Sequence, residues 1–192
     1  MKHIIRIVII GEYGIGKTSF FNRYKDNKYL PIDTIGIDFL KKEIYIHDYK
    51  LTIQFWDETH SGRYGSISPA YYRNGKGILF VVDLTDTKTI DFIINERRKN
   101  GQNELKKFVS YLVGTKKDKT IENRDEMIEY SKTNGLHYCE CSSLTGENVH
   151  EIMHRITRDI LEKEMLEEKE KQYLYDKQKQ NKNKTNKKCI VF

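Results

Sequence analysis

The sequence predicts an α/β fold: a six-stranded, mostly parallel sheet with helices on both faces. Three observations predict it. Short β-branched apolar runs alternate with segments whose apolar residues recur at helical spacing, the pattern that builds parallel sheets joined by crossover helices. The first run, Ile4-Ile5-Arg6-Ile7-Val8-Ile9-Ile10, is apolar at nearly every position, as a strand covered on both faces must be. The chemically informative residues follow the strands, at the carboxyl ends where ligands of such folds bind.

The elements follow in order. After the first strand, Phe20, Phe21 and Tyr24 fall on one helical face. Ile44 and Ile46 precede a polar turn, His47 to Lys50. Leu51, Ile53 and Phe55 then alternate with Thr52, Gln54 and Trp56, so the two runs predict a hairpin. Ile78 to Val82 and Phe108 to Val113 are buried strands, and another ends at Glu140. Ile90, Ile93, Ile94 and Arg97 mark a helix stopped at Gly101, and Asn123 with Glu126 resembles a capping box for a helix ending near Gly135. Val149, Ile152, Met153, Ile156 and Ile160 form the apolar stripe of a last helix, which grades into the charged stretch Glu162 to Lys171 with Glu167 and Lys171 at ion-pair spacing.

The chain has 192 residues, 38% hydrophobic and 32% charged, with a net charge of +6. That suits one domain, residues 1–172, and a tail, residues 173–192, whose lysine-asparagine-glutamine composition predicts no regular structure. Six tail lysines face one acid, Asp176, so the rest of the chain is near neutral and predicts no nucleic-acid-binding surface. No apolar run is long enough to span a bilayer. The N-terminal run is too short for a signal peptide and lacks a small-residue cleavage site. Cys139 and Cys141 read as reduced thiols, with no second ligand pair at metal-site spacing.

Gly11-Glu12-Tyr13-Gly14-Ile15-Gly16-Lys17-Thr18 matches G-x-x-x-x-G-K-[ST] between a strand and a helix. Glycines let backbone N–H groups wrap phosphates, Lys17 reaches the β- and γ-phosphates, and Thr18 offers a hydroxyl to Mg²⁺. Asp57 closes the Leu51–Trp56 strand, where a carboxylate can hold Mg²⁺ through water. Thr115-Lys116-Lys117-Asp118 and Glu140-Cys141-Ser142-Ser143-Leu144-Thr145-Gly146 end two further strands.

Up to about residue 172 the chain resembles a small GTPase of the Ras superfamily, and within it the Rab family. The likeness rests on the phosphate loop, on Thr34-Ile35-Gly36-Ile37-Asp38-Phe39, on Trp56-Asp57 with Arg63-Tyr64 and Tyr71-Tyr72-Arg73, on Leu79 to Asp86, and on Thr145-Gly146-Glu147-Asn148-Val149. The resemblance implies a P-loop NTPase G domain that binds GTP or GDP with Mg²⁺. It gives the phosphates to Gly14, Ile15, Gly16, Lys17, Thr18 and Ser19, and the metal to Thr18, Thr34 and Asp57. It places Tyr29 against the base, Asp118 on the guanine N1–H and amino group, Lys116 along base and ribose, and the Ser143 N–H on guanine O6, with Thr115, Ser142 and Leu144 completing the base site. Thr115 stands for the family's Asn and Leu144 for its Lys, as in the Rho branch, and the loop from Tyr29 to Thr34 is two residues short.

The catalytic segment departs further. The family's Asp-x-x-Gly-Gln is here Asp57-Glu58-Thr59-His60-Ser61. His60 replaces the glycine whose N–H meets the γ-phosphate. Ser61, which joins Lys17 and Thr34 in the catalytic set, replaces the glutamine that orients water and is too short to do the same. Tyr13 crowds the path of an incoming arginine finger. Slow hydrolysis is expected. Two readings stand: a slow GTPase switch in vesicle traffic, or a non-hydrolysing nucleotide-binding scaffold that recruits partners at membranes.

The chain ends Cys189-Ile190-Val191-Phe192, a prenylation box whose terminal Phe favours geranylgeranylation of Cys189. The tail lysines add the second signal one lipid chain needs. The expected location is cytoplasmic, peripheral on the cytosolic face of an endomembrane or the plasma membrane. The expected partners are effectors, an exchange factor and an activating protein at the two switches, and the expected state is a monomer.

Overall fold

The first strand sets the architecture. β1 (His3–Ile10) sends alternate residues to opposite faces of the sheet; Ile5, Ile7 and Ile9 are buried on one face, while on the other Ile4 is exposed, Arg6 half-buried, and only Val8 and Ile10 are buried. Ile5, Ile7 and Ile9 join one core, Val8 and Ile10 the other. A computed structural model of the protein describes residues 3–29, 37–46, 49–58, 72, 74–121 and 124–188.

Six strands form one sheet in the order β2-β3-β1-β4-β5-β6, where β2 is Ile37–Ile46, β3 Tyr49–Glu58, β4 Gly77–Asp83, β5 Val109–Thr115 and β6 His137–Glu140. Only β2 runs antiparallel, paired with β3; the remaining neighbours are parallel. The expected α/β class and hairpin are therefore observed. The hairpin closes further than expected, because Tyr49 and Lys50 pair with Ile46 and Tyr45 rather than lying in the turn.

Among the described residues the helices include α1 (Lys17–Asp26), α2 (Thr89–Asn100), the short α3 (Gln102–Leu105), α4 (Arg124–Thr133) and α5 (Val149–Lys188). α1 and α5 cover one face, with Phe20, Phe21, Ile152 and Ile156 packed on Phe55 and Ile7. α2 and α4 cover the other, with Ile90, Ile93 and Met127 over Phe80 and Val82. Asn123, expected to cap α4, lies outside the described residues.

Two expectations on the last helix are corrected. The tail expected to lack regular structure from Tyr173 continues as helix to Lys188. No glycine or proline interrupts residues 149–188, and Lys, Glu and Gln are good helix formers, so nothing local stops the helix once packing has nucleated it. Glu167 and Lys171 form no ion pair; among the described residues the pairs within this helix join Glu151 to Arg155 at 2.8 Å and Arg158 to both Asp159 at 3.7 Å and Glu162 at 3.8 Å. Among the described residues no helix is long and apolar enough to cross a membrane.

Candidate functional site

β1 is central, flanked by β3 and β4, so the strand order reverses at it, and its carboxyl end is where ligands of such sheets bind. The phosphate loop fills that position. Gly11 cannot be larger: a Cβ there would lie 2.3 Å from Ile15 Cδ1 and 2.6 Å from the Val81 carbonyl oxygen. Gly14 (φ 78°) and Gly16 (φ 99°) adopt the left-handed backbone that side chains disfavour. The N–H groups of Gly14, Ile15 and Gly16 have no acceptor among the described residues. Lys17, 5% exposed, turns back so that Nζ donates to the carbonyls of Gly11 (2.9 Å) and Glu12 (2.8 Å). No side chain caps α1 and no acid lies in its first turn, which leaves its positive end to an anion. Thr18 and Ser19 follow, partly buried.

A cradle of unpaired amides, an ammonium and a bare helix end fits a polyphosphate chain. Register carries Asp57 to the same edge, beside Ile9 of β1 and Asp38 of β2. Asp57 and Thr18 are the two expected metal ligands that fall among the described residues. Thr34, the third expected metal ligand, lies outside the described residues, as do His60, Ser61 and Cys189. Among the described residues no group of three or more His, Cys, Asp or Glu side chains could hold a metal ion.

The base side is built from the ends of β4, β5 and β6. Thr115, 2% exposed, is a structural tie: its hydroxyl donates to the Ile15 carbonyl at 2.7 Å, with the Val82 carbonyl 3.0 Å away. That bond joins the base side to the phosphate loop across 100 positions of chain. Lys116 has a left-handed backbone (φ 59°), and its ammonium pairs with the Asp83 carboxylate at the end of β4. Asp83 also accepts from the Thr85 N–H (2.9 Å) and hydroxyl (2.7 Å). Burial alone would raise the Asp83 carboxyl, but the bonds from Lys116 and Thr85 outweigh it and hold the carboxyl below its usual range.

Asp118 lies exposed beside Ser142, whose hydroxyl donates to its Oδ1 at 2.5 Å. Ser142 is fully buried: its N–H donates to the Glu147 carbonyl (3.1 Å), its carbonyl accepts from Gly146 (2.9 Å), and its Oγ accepts from the Thr145 N–H (3.1 Å). This knots residues 142–147 into a tight loop that leaves the N–H groups of Ser143 and Leu144 without acceptors among the described residues. The Ser143 hydroxyl, on a residue 7% exposed, is buried with no partner among the described residues. Leu144, Tyr29 and Tyr13 are exposed at the rim.

The structure thus brings together Gly14 through Ser19, Thr115, Lys116, Asp118 and Ser142 through Leu144. Sequence reasoning missed two residues here. Asp83 carried a readable signal, an acid closing a wholly apolar strand. Arg23, whose guanidinium reaches the Ser143 and Leu144 carbonyls, carried none, because it is one polar residue among several on α1.

The site and sheet define an α/β domain with a glycine-rich loop after its central strand and a second loop cluster at the ends of β4, β5 and β6, the arrangement of a P-loop nucleotide-binding fold. The sequence of residues 6–162 matches the Ras family model. The chain belongs to the Ras family and within it is a Rab-like small GTPase, a class of GTP-binding proteins of vesicle traffic. It is 31% identical to Ras-related protein Rab-13 of Canis lupus familiaris, over 83% of this chain and 81% of that protein. It is 31% identical to Ras-related protein Rab-12 of Mus musculus, over 85% and 70%. It is 34% identical to Ras-related protein SEC4 of Saccharomyces cerevisiae, over 83% and 76%.

Proposed function

We propose that this protein is a slow, membrane-anchored GTP/GDP switch that binds its nucleotide with Mg²⁺ and recruits partners through the segments around Thr34 and His60. The observation that carries the reading is one continuous site: unpaired amides at Gly14 to Gly16, tied by the Thr115–Ile15 hydrogen bond to a base loop with unpaired amides at Ser143 and Leu144. In it, the Gly14–Gly16 amides and Lys17 bind the phosphates, and Asp118 accepts from the guanine edge that adenine lacks. Thr18, Thr34 and Asp57 hold Mg²⁺, whose chemistry is to neutralise charge building on the phosphates. Tyr29 covers the base. Residues 1–172 act as the switch. Residues 173–192, with Cys189 prenylated and six lysines against anionic lipid, hold it peripherally on a cytosolic membrane face.

Hydrolysis is slow in this reading because His60 and Ser61 replace the Gly and Gln of the family pattern. The same two residues favour a second reading, a scaffold that binds nucleotide without hydrolysing it. One experiment separates them. Nucleotide released from purified protein is identified by chromatography, and single turnover of bound GTP is timed for wild type and for the His60→Gly/Ser61→Gln double variant. Guanine nucleotide is expected, with wild-type turnover at least about tenfold slower than the double variant's, since one well-placed group near a reacting phosphate is worth that much or more. Equal fast turnover sinks the slow-switch reading. Wild-type turnover indistinguishable from the uncatalysed rate favours the scaffold. Equal retention of adenosine and guanosine nucleotides sinks both.

A further inference from the structure

We propose that Arg23 is a positioning residue that aims the base loop's amides at guanine and thereby sets how long nucleotide is held. The inference rests on the guanine-site reading above and adds a residue that reading does not contain.

All three guanidinium nitrogens of Arg23 are engaged, and every acceptor within normal bonding distance is a carbonyl. Nε donates to the Ser143 carbonyl at 2.7 Å and Nη2 to the Leu144 carbonyl at 2.7 Å, across 120 and 121 positions of chain. Nη1 donates to the Asn27 carbonyl at 2.8 Å, with Asn27 Oδ1 a longer contact at 3.4 Å. Asn27 is the left-handed residue (φ 54°) that ends α1, so the guanidinium is braced on its own helix while it grips the loop. A guanidinium offers donors in a fixed fork, and here the fork takes two successive carbonyls. Among the described residues Arg23 has no acidic partner, so it acts on the loop by hydrogen bonding rather than by ion pairing.

Peptide planarity converts that grip into aim. The Ser143 carbonyl and the Leu144 N–H belong to one rigid trans unit and point opposite ways. Holding the oxygen toward α1 therefore turns the Leu144 N–H away from it; the Ser143 N–H belongs to the preceding peptide, whose Ser142 carbonyl accepts from the Gly146 N–H at 2.9 Å, and it adjoins the peptide that Arg23 holds through the Ser143 Cα. Both N–H groups lack acceptors among the described residues. The Leu144 carbonyl is likewise rigidly joined to the Thr145 N–H, which donates to Ser142 Oγ at 3.1 Å. The other ties of the loop run through Ser142, Gly146 and Glu147, and the Ser143 side chain contributes none, its hydroxyl being unpartnered. Arg23 is thus what fixes the Ser143–Leu144 peptide, and it shares the Leu144–Thr145 peptide with the bond to Ser142 Oγ. The stem of the side chain also lies across the loop, 3.6 Å from where a Cβ on Gly146 would stand.

The helix makes the grip a link between the two halves of the site. Lys17 and Arg23 lie on α1, six residues and about 9 Å apart along its axis. One rigid element therefore carries the phosphate ammonium at one end and the base-loop clamp at the other.

The test is nucleotide release from full-length protein loaded with Mg²⁺ and either GDP or 6-thio-GDP, chased with excess nucleotide, for wild type, Arg23→Ala and Arg23→Lys. In 6-thio-GDP the edge facing Asp118 is kept while the oxygen facing the loop amides becomes sulfur, a poor acceptor. Arg23→Ala is expected to speed GDP release about tenfold, the effect of losing two charge-assisted bonds, one part-buried and one exposed. Arg23→Lys, folded as well as wild type by thermal melting, recovers only part of that loss, because one ammonium cannot reproduce the fork. Release of 6-thio-GDP speeds up by less than about threefold, since its weak acceptor draws less from correctly aimed donors. Equal acceleration of both nucleotides overturns the proposal and leaves Arg23 a general brace. GDP release within about twofold of wild type in both variants overturns it too, a change too small for two lost hydrogen bonds. Wild-type protein that does not retain GDP overturns the guanine-site reading itself, and that result appears before any substitution is made.

Discussion

Thr115 and Ser143 stand at the same site with opposite balances. The Thr115 hydroxyl is buried and fully used, donating to Ile15. Standing where the family pattern has a longer Asn, it bonds the neighbouring loop's backbone directly. The Ser143 hydroxyl is buried and unused. A desolvated hydroxyl without a partner costs roughly 1–3 kcal/mol, and most of that is recovered when the oxygen is deleted. Ser143→Ala is therefore expected to raise stability to urea by about 1 kcal/mol with no change in the denaturant slope, because a single buried oxygen leaves the exposed area of the unfolded chain almost unchanged. A lower midpoint would show that the hydroxyl has a partner in solution, and would remove one reason for assigning the Ser143–Leu144 orientation to Arg23.

At the scale of elements, what could be read from the sequence followed from periodicity, and what could not followed from its loss. Ile5, Ile7 and Ile9 against Val8 and Ile10 announce a strand with two buried faces, and the structure splits them between two cores as expected. The phosphate site was legible because glycine spacing is a backbone requirement written directly in residue type. The Arg23 clamp was not, because a hydrogen bond to a carbonyl 120 positions away leaves no local pattern. The reach of α5 was misread for a related reason. Its apolar stripe ends at Leu161, and beyond it lysine, asparagine and glutamine argue for solvation but say nothing against helix. Among the described residues the last ties to the body are the Lys76–Glu164 pair at 3.0 Å and the bond from Lys163 to the Lys107 carbonyl at 2.6 Å. Exposed helix past that point gains little from tertiary packing and is marginal by itself. Ending the chain after Lys171 should therefore lower helical circular dichroism while moving global stability by less than about 0.5 kcal/mol. A loss of several kcal/mol would mean that the distal helix docks on the body.

For the whole molecule, one sheet separates two cores that share no helix. α1 and α5 serve one face, α2 and α4 the other. The proposed nucleotide site draws on both. Its phosphate loop feeds α1, while Thr115, Lys116 and Asp83 hang from the strand ends beside α2. The Thr115–Ile15 bond and the Arg23 clamp both cross between the loops. A ligand held there stabilises the two cores as one unit, because neither can open without releasing a wall of the site. The size follows from mass action: GDP with Mg²⁺ at about 100 times its dissociation constant adds about 2.7 kcal/mol to unfolding. Urea unfolding followed by far-ultraviolet dichroism and by aromatic fluorescence should then shift together, with coincident midpoints in the absence and presence of nucleotide. Midpoints that separate on adding GDP would show that the ligand secures one core alone. In that case the two halves of the site act independently, and the bond from Thr115 to Ile15 is a contact without mechanical consequence.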